Sequence, residues 1–412
     1  MPESTVAPAP AEPPAPDTSL KNVKALGIVS LLTDASSEAI YPILPLFLSS
    51  VLGTPVAVIG VIESIAEATA SLMKVFSGWL SDRVGRRRPL ILVGYALSNL
   101  MKPVLAIAGN WPAVLAVRFA DRFGKGIRTA PRDALIADSA PPEVRGKAFG
   151  LHRALDTLGA AIGPLVAWAT LSLVHGAAGF RTVFLISAIP GIAAIVVLVF
   201  AVRERRPHAP ADTRPPLGFK HLGVPFGVFT AISAVFALGN SSDAMLILRA
   251  KDLGTATAVV PLMYFVFNLV GAAVATPAGI LSDRVGRRRM LTVGFAAYGV
   301  VYAGFAFASP AHGWVPWLLF AAYGVPYAMT EGMARAFVVD LVGPDCRGTA
   351  VGSYTFVLGL AALPSSAVAG ILWDTVGHSA PFFLSAGLML VSAVALGVAG
   401  RMLKPLEIHT AF

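Results

Sequence analysis

Charged side chains recur at helical spacing within stretches of this sequence that are otherwise apolar. Asp34 and Glu38 lie one turn apart, and Arg153 and Asp156 show a similar spacing. At 100° per residue, such spacings place both members of a pair on one face of a helix. The densest group covers an arc of roughly 140° on one helix and consists of Arg118, Asp121, Arg122, Lys125, Arg128 and Arg132.

Ionisable groups within a membrane are costly and usually functional, so these residues are candidates for the chemistry of the protein. A carboxylate beside a base at mid-helix can take up and release a proton, which makes Asp34, Glu38 and Glu67 the proton-coupling candidates. Basic residues can attract an anionic group or neutralise those carboxylates. The substrate-binding candidates are Arg118, Arg122, Lys125, Arg153 and Asp156 in the first half and Asp243, Glu331 and Arg335 in the second.

A structural interpretation of the first-half charges is equally open. Acids and bases nearly cancel there, and a self-neutralising network would avoid unpaired buried charges. The six acids are Asp34, Glu38, Glu63, Glu67, Asp121 and Asp156, and the seven bases are Lys74, Lys102, Arg118, Arg122, Lys125, Arg128 and Arg153.

Motifs for enzymatic chemistry are absent from the sequence. It has no Gly-x-x-x-x-Gly-Lys-Ser/Thr loop for ATP and no His-Glu-x-x-His zinc motif. His152 is isolated, and the single cysteine, Cys346, supports neither a disulfide nor a cysteine metal site within one chain. We therefore expect no catalytic residues, no metal and no cofactor, and a protein that is not an enzyme.

The composition identifies the setting of these charges. Of 412 residues, 56% are hydrophobic and 13% are charged, and the mean hydropathy is +0.72. Soluble domains have about 25% charged residues, so a soluble enzyme and a disordered chain are both excluded, and lipid is the expected solvent. Apolar stretches long enough to cross a bilayer predict twelve helices, at about 22–50, 56–80, 88–108, 112–138, 144–174, 181–203, 220–248, 256–281, 288–309, 314–342, 347–374 and 380–403.

The loops between the predicted helices orient the bundle. Lys and Arg cluster in every second loop, as at 83–88 and 284–289, while the loops near 50–55, 109–112 and 309–314 have none. By the positive-inside rule, both termini are cytoplasmic. The net charge of +9 then reflects membrane topology, and nucleic acid is not an expected partner.

The chain contains an internal repeat. The segment from Gly78 to Arg88 recurs, with one substitution, from Gly279 to Arg289. This indicates two six-helix halves, a parallel repeat typical of transporters with a site at the repeat interface. The predicted organisation is a disordered tail at 1–20, a first bundle at 21–203, a cytoplasmic linker at 204–219, a second bundle at 220–403 and a tail at 404–412.

The doubled Gly-x-x-x-Asp-Arg-x-Gly-Arg-Arg segment resembles the signature loop of the major facilitator superfamily. The resemblance implies an all-α membrane protein with twelve transmembrane helices, in two pseudo-symmetric six-helix bundles around a central cavity, working by alternating access. It also implies a conformational latch that holds the outward-facing state. The latch residues would be Gly78, Asp82, Arg83, Gly85, Arg86 and Asp138, and Gly279, Asp283, Arg287 and Asp340 in the second half.

Within the implied latch, Asp82 would lie near a helix N-terminus of the other half, where backbone N–H groups favour an anion. Arg86 would pair with Asp138, and Arg287 with Asp340. The alternative is that the basic run only fixes the topology.

A further motif bears on the direction of transport. Gly159, Gly163 and Pro164 resemble a motif of the antiporter branch of the family, without its trailing glycines. The predicted function is proton-coupled efflux of a small amphiphilic or charged compound, with sodium as the other candidate ion. The alternative is proton-coupled uptake of an anionic nutrient or metal complex. We expect a functional monomer, and the 23 Arg against 9 Lys suggest a bacterial inner membrane.

Overall fold

The structure, a computed structural model, describes residues 17–140, 144–204, 222–343 and 346–403, without the side chains of 17–20, Asp82 and Arg401. The described residues form helices joined by turns, with no strand. The predicted linker, apart from Glu204, and the tail at 404–412 lie outside the described part of the chain, as do residues 1–16 of the predicted N-terminal tail.

The described part of the first half contains eight α-helical segments. They are α1 (Asp17–Ile40), α2 (Leu44–Ser50), α3 (Val56–Val84), α4 (Arg88–Met101), α5 (Trp111–Ser139), α6 (Arg145–Leu173), α7 (Gly176–Ile186) and α8 (Ala188–Ala201). The second half consists of α9 (Gly223–Gly239), α10 (Asp243–Asp252), α11 (Val260–Val285), α12 (Arg287–Phe307), α13 (Val315–Asp340), α14 (Arg347–Thr375) and α15 (Ala380–Val398).

Several predicted spans are composed of two consecutive segments. The first span breaks after Ile40, where Pro42 and Pro45 restrict the backbone, and the seventh breaks at 240–242. A 3₁₀ segment, Lys102–Ile107, extends α4. Joining α1 with α2, α7 with α8 and α9 with α10 gives twelve predicted spans, whose ends lie within about five residues of those expected.

Apolar length alone accounts for nine of these twelve spans. Nine stretches of the described chain are long and apolar enough to cross a membrane, and they leave out α1–α2, α5 and α13. Two of these three, α1 and α5, carry the charge pattern found in the sequence. The all-helical membrane fold is confirmed, whereas the count of twelve depends on accepting charged helices as spans.

The repeat in the sequence is also visible in the packing. In the first half α1 packs on α6 and α8, and α5 packs on α3 and α4. In the second half α9 packs on α14 and α15, and α13 packs on α11 and α12. Each contact in one half therefore has a counterpart in the other.

The two halves meet through α3 with α14 and through α6 with α11. We call the end that carries 83–88 and 284–289 the arginine-rich end, and the end that carries 51–57 and 370–378 the opposite end. At the opposite end a Cβ on Gly370 would lie 2.6 Å from the Val56 carbonyl oxygen, so the two backbones touch. Towards the arginine-rich end, no described atom lies within 4 Å of a Cβ built on Gly352. The backbones of the two halves therefore touch at the opposite end, whereas Gly352, nearer the arginine-rich end, has open space beside it.

Two glycines of the predicted antiporter-like motif set how closely α6 approaches α1. A Cβ on Gly159 would overlap the Leu31 carbonyl, and one on Gly163 would lie 2.6 Å from the Ala39 nitrogen. Both glycines are buried at this contact. Only residues without a Cβ allow the backbones to approach so closely.

We predict that Gly159→Val lowers the apparent Tm of the purified protein by about 5 °C or more, because overpacking a close helix contact costs about 1–3 kcal/mol or more. Gly150→Val is the matched control, since Gly150 lies on the same helix with open space around it. The measurement is the monodisperse fraction by size-exclusion chromatography after heating. Equal Tm values for the two variants would contradict the packing role.

Candidate functional site

The charged face of α5 forms a buried ion-pair cluster with α3. The Arg118 guanidinium donates to both carboxylate oxygens of Glu63, each at 2.8 Å, and both side chains are buried. Asp121 accepts a hydrogen bond from the Ser98 hydroxyl at 2.5 Å and lies 3.7 Å from Arg118. The Arg118 charge is therefore neutralised by partners within the first half, as the self-neutralising interpretation of the sequence predicts.

Arg122 lies one turn further along α5 and has looser partners. Its guanidinium is 3.8 Å from Glu67 and 3.9 Å from Asp121. The Glu67 side chain is 45% exposed. The guanidinium groups of Arg118 and Arg122 flank the Tyr41 ring at 5.9 and 5.8 Å.

The Tyr41 ring connects this cluster to the second half. Its centroid lies 5.5 Å from that of Tyr264, which is buried at the interface. The charges of the first half therefore extend to the surface where the two halves meet.

Lys125 and Glu38 are the charged candidates without a direct partner. Lys125 is exposed near the middle of α5, and it makes no ion pair within 4 Å in the described part of the chain. Glu38 has one buried carboxylate oxygen with no hydrogen-bond partner among the described atoms. The charged groups that face Glu38 are Lys125, Arg122, Asp156 and Lys102.

A second acidic group joins α1 to α6. The Asp156 carboxylate accepts a hydrogen bond from the Ser30 hydroxyl at 2.6 Å and one from Arg153 at 3.2 Å. Asp34 lies within hydrogen-bonding reach of Asp156, with Lys125 and Arg128 as the facing cations. The structure therefore brings the two acids together. The Arg153 side chain is 69% exposed, which leaves it open to a solute.

Lys102 is one of the seven bases of the first half. It is buried, and its ammonium group donates to the Asn99 amide oxygen at 2.8 Å and to the Ser36 hydroxyl at 3.2 Å. Lys102 and Glu38 line one small pocket together with Ser37, Tyr41, Arg118, Asp121 and Arg122. In the sequence, the feature that could have identified Lys102 as a pocket residue is its position within an apolar span.

The second half has fewer charges and more aromatic rings. The Tyr323 hydroxyl donates to Asp243 at 2.8 Å, and the Tyr323 ring packs 4.9 Å from Phe267. Glu331 and Arg335 pair with each other at 2.8 Å and are both about half exposed. Among the described residues no group of His, Cys, Asp and Glu could hold a metal ion.

Two ion pairs are expected within the implied latch, and the structure has one of them as expected and the other with a different arginine. Arg287 donates to both oxygens of Asp340 at 2.6 Å, as predicted. In the first half the prediction was wrong about the arginine, because Arg87 lies 2.5 Å from Asp138 while Arg86 is exposed. The left-handed turn at Gly85 (φ +66°) ends α3, and the chain that leaves it directs Arg87 towards α5.

The other latch candidates have varied surroundings. A Cβ on Gly78 would make an ordinary contact with Ala130. A Cβ on Gly279 would have open space around it. Asp283 is largely exposed and lies 3.8 Å from Arg287. The Arg83 guanidinium lies 5.5 Å from the Trp79 ring. The side chain of Asp82 lies outside the described part of the structure.

Glu204 is an unpredicted residue at the arginine-rich end. Its carboxylate accepts hydrogen bonds from the backbone N–H groups of Arg87 and Arg88, at 3.0 and 2.9 Å. It thus caps the start of α4 from a residue more than one hundred positions away. Asn22 also bonds the backbone of Arg203, so the end of the first half is held to its beginning.

Comparison with known proteins gives one consistent family. A sequence profile of the Major Facilitator Superfamily matches residues 26–366 and 228–409. An uncharacterized MFS-type transporter of Methanocaldococcus jannaschii is 36% identical over 91% of this chain and 94% of its own length. The class G tetracycline resistance protein of Vibrio anguillarum is 27% identical over 83% of this chain and 86% of its own. A variant of the nucleoside transporter NupG has a similar fold, with a TM-score of 0.78 and 15% identity over 93% of this chain and 99% of that one.

The pairing of Arg87 with Asp138 leads to a prediction that separates two adjacent arginines. Arg87→Gln should lower the apparent Tm by several degrees, because it leaves the largely buried Asp138 carboxylate without its close cation. Arg86→Gln removes an exposed charge and should change the Tm by about 1 °C or less. Thermal unfolding of both variants in detergent checks this, and a larger loss from Arg86→Gln would reverse the assignment.

Proposed function

This chain belongs to the major facilitator superfamily of membrane transporters, and we propose that it exports a small amphiphilic or charged compound in exchange for protons. Transport by alternating access would use the space between the two halves. We infer that the arginine-rich end faces the cytoplasm, because basic loops are retained there. The contacts at the opposite end then belong to an inward-facing state in a cell membrane.

Proton coupling is supported above all by two acids on α1. Glu38 has a buried oxygen without a hydrogen-bond partner, and Asp34 lies against Asp156. Two adjacent carboxyl groups are stabilised when they share one proton, and nearby cations favour releasing it. A solute or a conformational change that moves Lys125 or Arg122 would therefore change which groups hold protons.

Export is supported by two independent observations. The motif of Gly159, Gly163 and Pro164 lies where α6 packs against Glu38 and its neighbours, so this packing can link the acid to movement of the helix. The Vibrio anguillarum relative is named for tetracycline resistance, and export of a compound is one way in which a membrane transporter can confer resistance to it.

The exposed cations support the second candidate, proton-coupled uptake of an anionic nutrient or metal complex. Lys125 has no ion-pair partner in the described chain, and Arg153 keeps most of its surface exposed. Such groups are suited to hold a carboxylate or phosphate. The direction of transport in a purified system distinguishes the two candidates.

We predict that proteoliposomes containing the protein move at least one compound of a panel of cationic, zwitterionic and anionic solutes when a proton gradient is imposed. Asp34→Asn and Glu38→Gln should each reduce gradient-driven transport at least tenfold, because neither amide can release a proton. Binding of the same compound, measured by a shift in Tm, should persist in both variants.

Asp133→Asn serves as the control for this experiment, since Asp133 pairs with the neighbouring Arg132 near the arginine-rich end. It should keep gradient-driven transport. If Asp34→Asn and Glu38→Gln both retain full transport driven by pH, these carboxylates do not carry the coupling. Replacing the proton gradient with a sodium gradient tests the other ion.

The latch generates a separate prediction. Asp82→Asn should reduce transport at least fivefold without lowering the yield or the Tm, because its charge would contribute only when the arginine-rich end closes. Transport in proteoliposomes and thermal unfolding are the two measurements. Unchanged transport would leave only a topological role for the basic run.

A further inference from the structure

The first turn of α3 has no capping side chain of its own. Its N-cap residue is Pro55, which makes no side-chain cap, so the first N–H groups of the helix need another acceptor. The carboxylate of Asp374, on α14 of the other half, accepts a hydrogen bond from the Ala57 N–H at 2.7 Å. A residue of the second half therefore caps a helix of the first.

Asp374 occupies an unfavourable place in its own helix. It is the next-to-last residue of α14, where the carbonyl end of the helix repels negative charge. Other acids in the last turns of helices have basic partners, as Asp138 has Arg87 and Asp340 has Arg287. No ion pair is found for Asp374 in the described part of the chain, so its contact with α3 is what offsets this cost.

The contact is part of a tight helix pair. A Cβ on Gly370 would lie 2.7 Å from the Cα of Ala57, and one on Gly60 would overlap the Ser366 carbonyl. Halfway along, a Cβ on Gly359 would lie 2.5 Å from the Cβ of Ser71. The helices α3 and α14 therefore run antiparallel in a defined register from the opposite end to the middle.

Continued to the arginine-rich end, the same register would bring a second aspartate to a second uncapped helix start when that end closes. Asp82 lies eleven residues beyond Ser71, and Gly348 lies eleven residues before Gly359. Gly348 is the second residue of α14, just as Ala57 is the second residue of α3. The N-cap of α14 is Cys346, which also makes no side-chain cap. Each helix of the pair thus carries an aspartate near its end, opposite the start of the other.

We propose that Asp374 is a second latch residue, which holds the two halves together at the opposite end as Asp82 would at the arginine-rich end. The proposal rests on alternating access, but on neither the substrate nor the coupling ion. When one end of the α3–α14 pair closes, one aspartate gains a helix N-terminus and the other loses one. Reciprocal capping keeps the two states close in free energy, since each offers one such contact.

The test measures the opening of both ends directly by pulsed electron spin resonance in lipid nanodiscs. Spin labels at Gly109→Cys and Gly313→Cys report on the opposite end, and labels at Gly146→Cys and Gly343→Cys report on the arginine-rich end. All four glycines have open space around them. The native Cys346 is replaced by Ala in every protein, so that no capping side chain is introduced at the start of α14. Each label pair is studied in a separate protein.

Asp374→Ala should increase the population with a wide opposite end about threefold to tenfold, the effect of losing one charged helix cap. Asp374→Asn should produce a smaller increase, because its amide oxygen can still accept from the Ala57 N–H and only the charge is lost. The label pair at the arginine-rich end should report a matching increase of the narrow population. Asp374→Glu should restore most of the original distribution, because its carboxylate still reaches the start of α3. Loss of transport by itself is not the readout.

Thr375→Ala is the matched control, because Thr375 lies next to Asp374 and its hydroxyl bonds only within α14, at Ile371. It should leave both distance distributions unchanged. Unchanged distributions in Asp374→Ala would overturn the proposal, as would a change confined to the opposite end, which indicates local fraying. Failure of the proton-transport experiment would leave these distances, and therefore this test, unaffected.

Discussion

The structure depends on one constraint, which is that a charge placed within a membrane needs a partner inside the protein. Most charges of the first half have such a partner within the same half. Arg118 bonds Glu63, and Asp121 accepts from Ser98 between two arginines. These pairs join α5 to α3 and α4 within the first half. The exceptions, above all Glu38 and Lys125, lie where the two halves face each other. There a proton or a solute can supply the missing partner of the charged group.

The second half meets the same constraint by having fewer charges. Its interior is built on stacked and edge-on rings, such as Phe236 against Phe295 at 4.0 Å and Phe229 against Phe337 at 4.9 Å. Aromatic packing of this kind is stable without ionic partners. The two halves have the same helix arrangement and different interiors. The repeat therefore keeps the packing geometry, while the buried charged residues are concentrated in the first half.

The sequence was sufficient for the helices and the repeat, because apolar length and loop charge are local properties. It also identified the pairing of Arg287 with Asp340. It failed where a contact depends on how the chain leaves a turn or on which helices become neighbours. The choice of Arg87 over Arg86 follows from the turn at Gly85, and the roles of Glu204 and Asp374 depend on partners more than one hundred residues away. Such contacts have no periodic signature.

The hydrogen bonds that close the first half have a consequence for its origin. Asn22, near the start of α1, bonds the backbone of Arg203, and Glu204 caps α4 at the point where the connection to the second half begins. The half is thus complete before that connection starts. An even number of crossings returns the chain to the side from which it began, so a copied gene fused behind the first inserts its product in the same orientation. A unit that closes on itself in this way is well suited to duplication, and two separate polypeptides divided at this joint should reassemble.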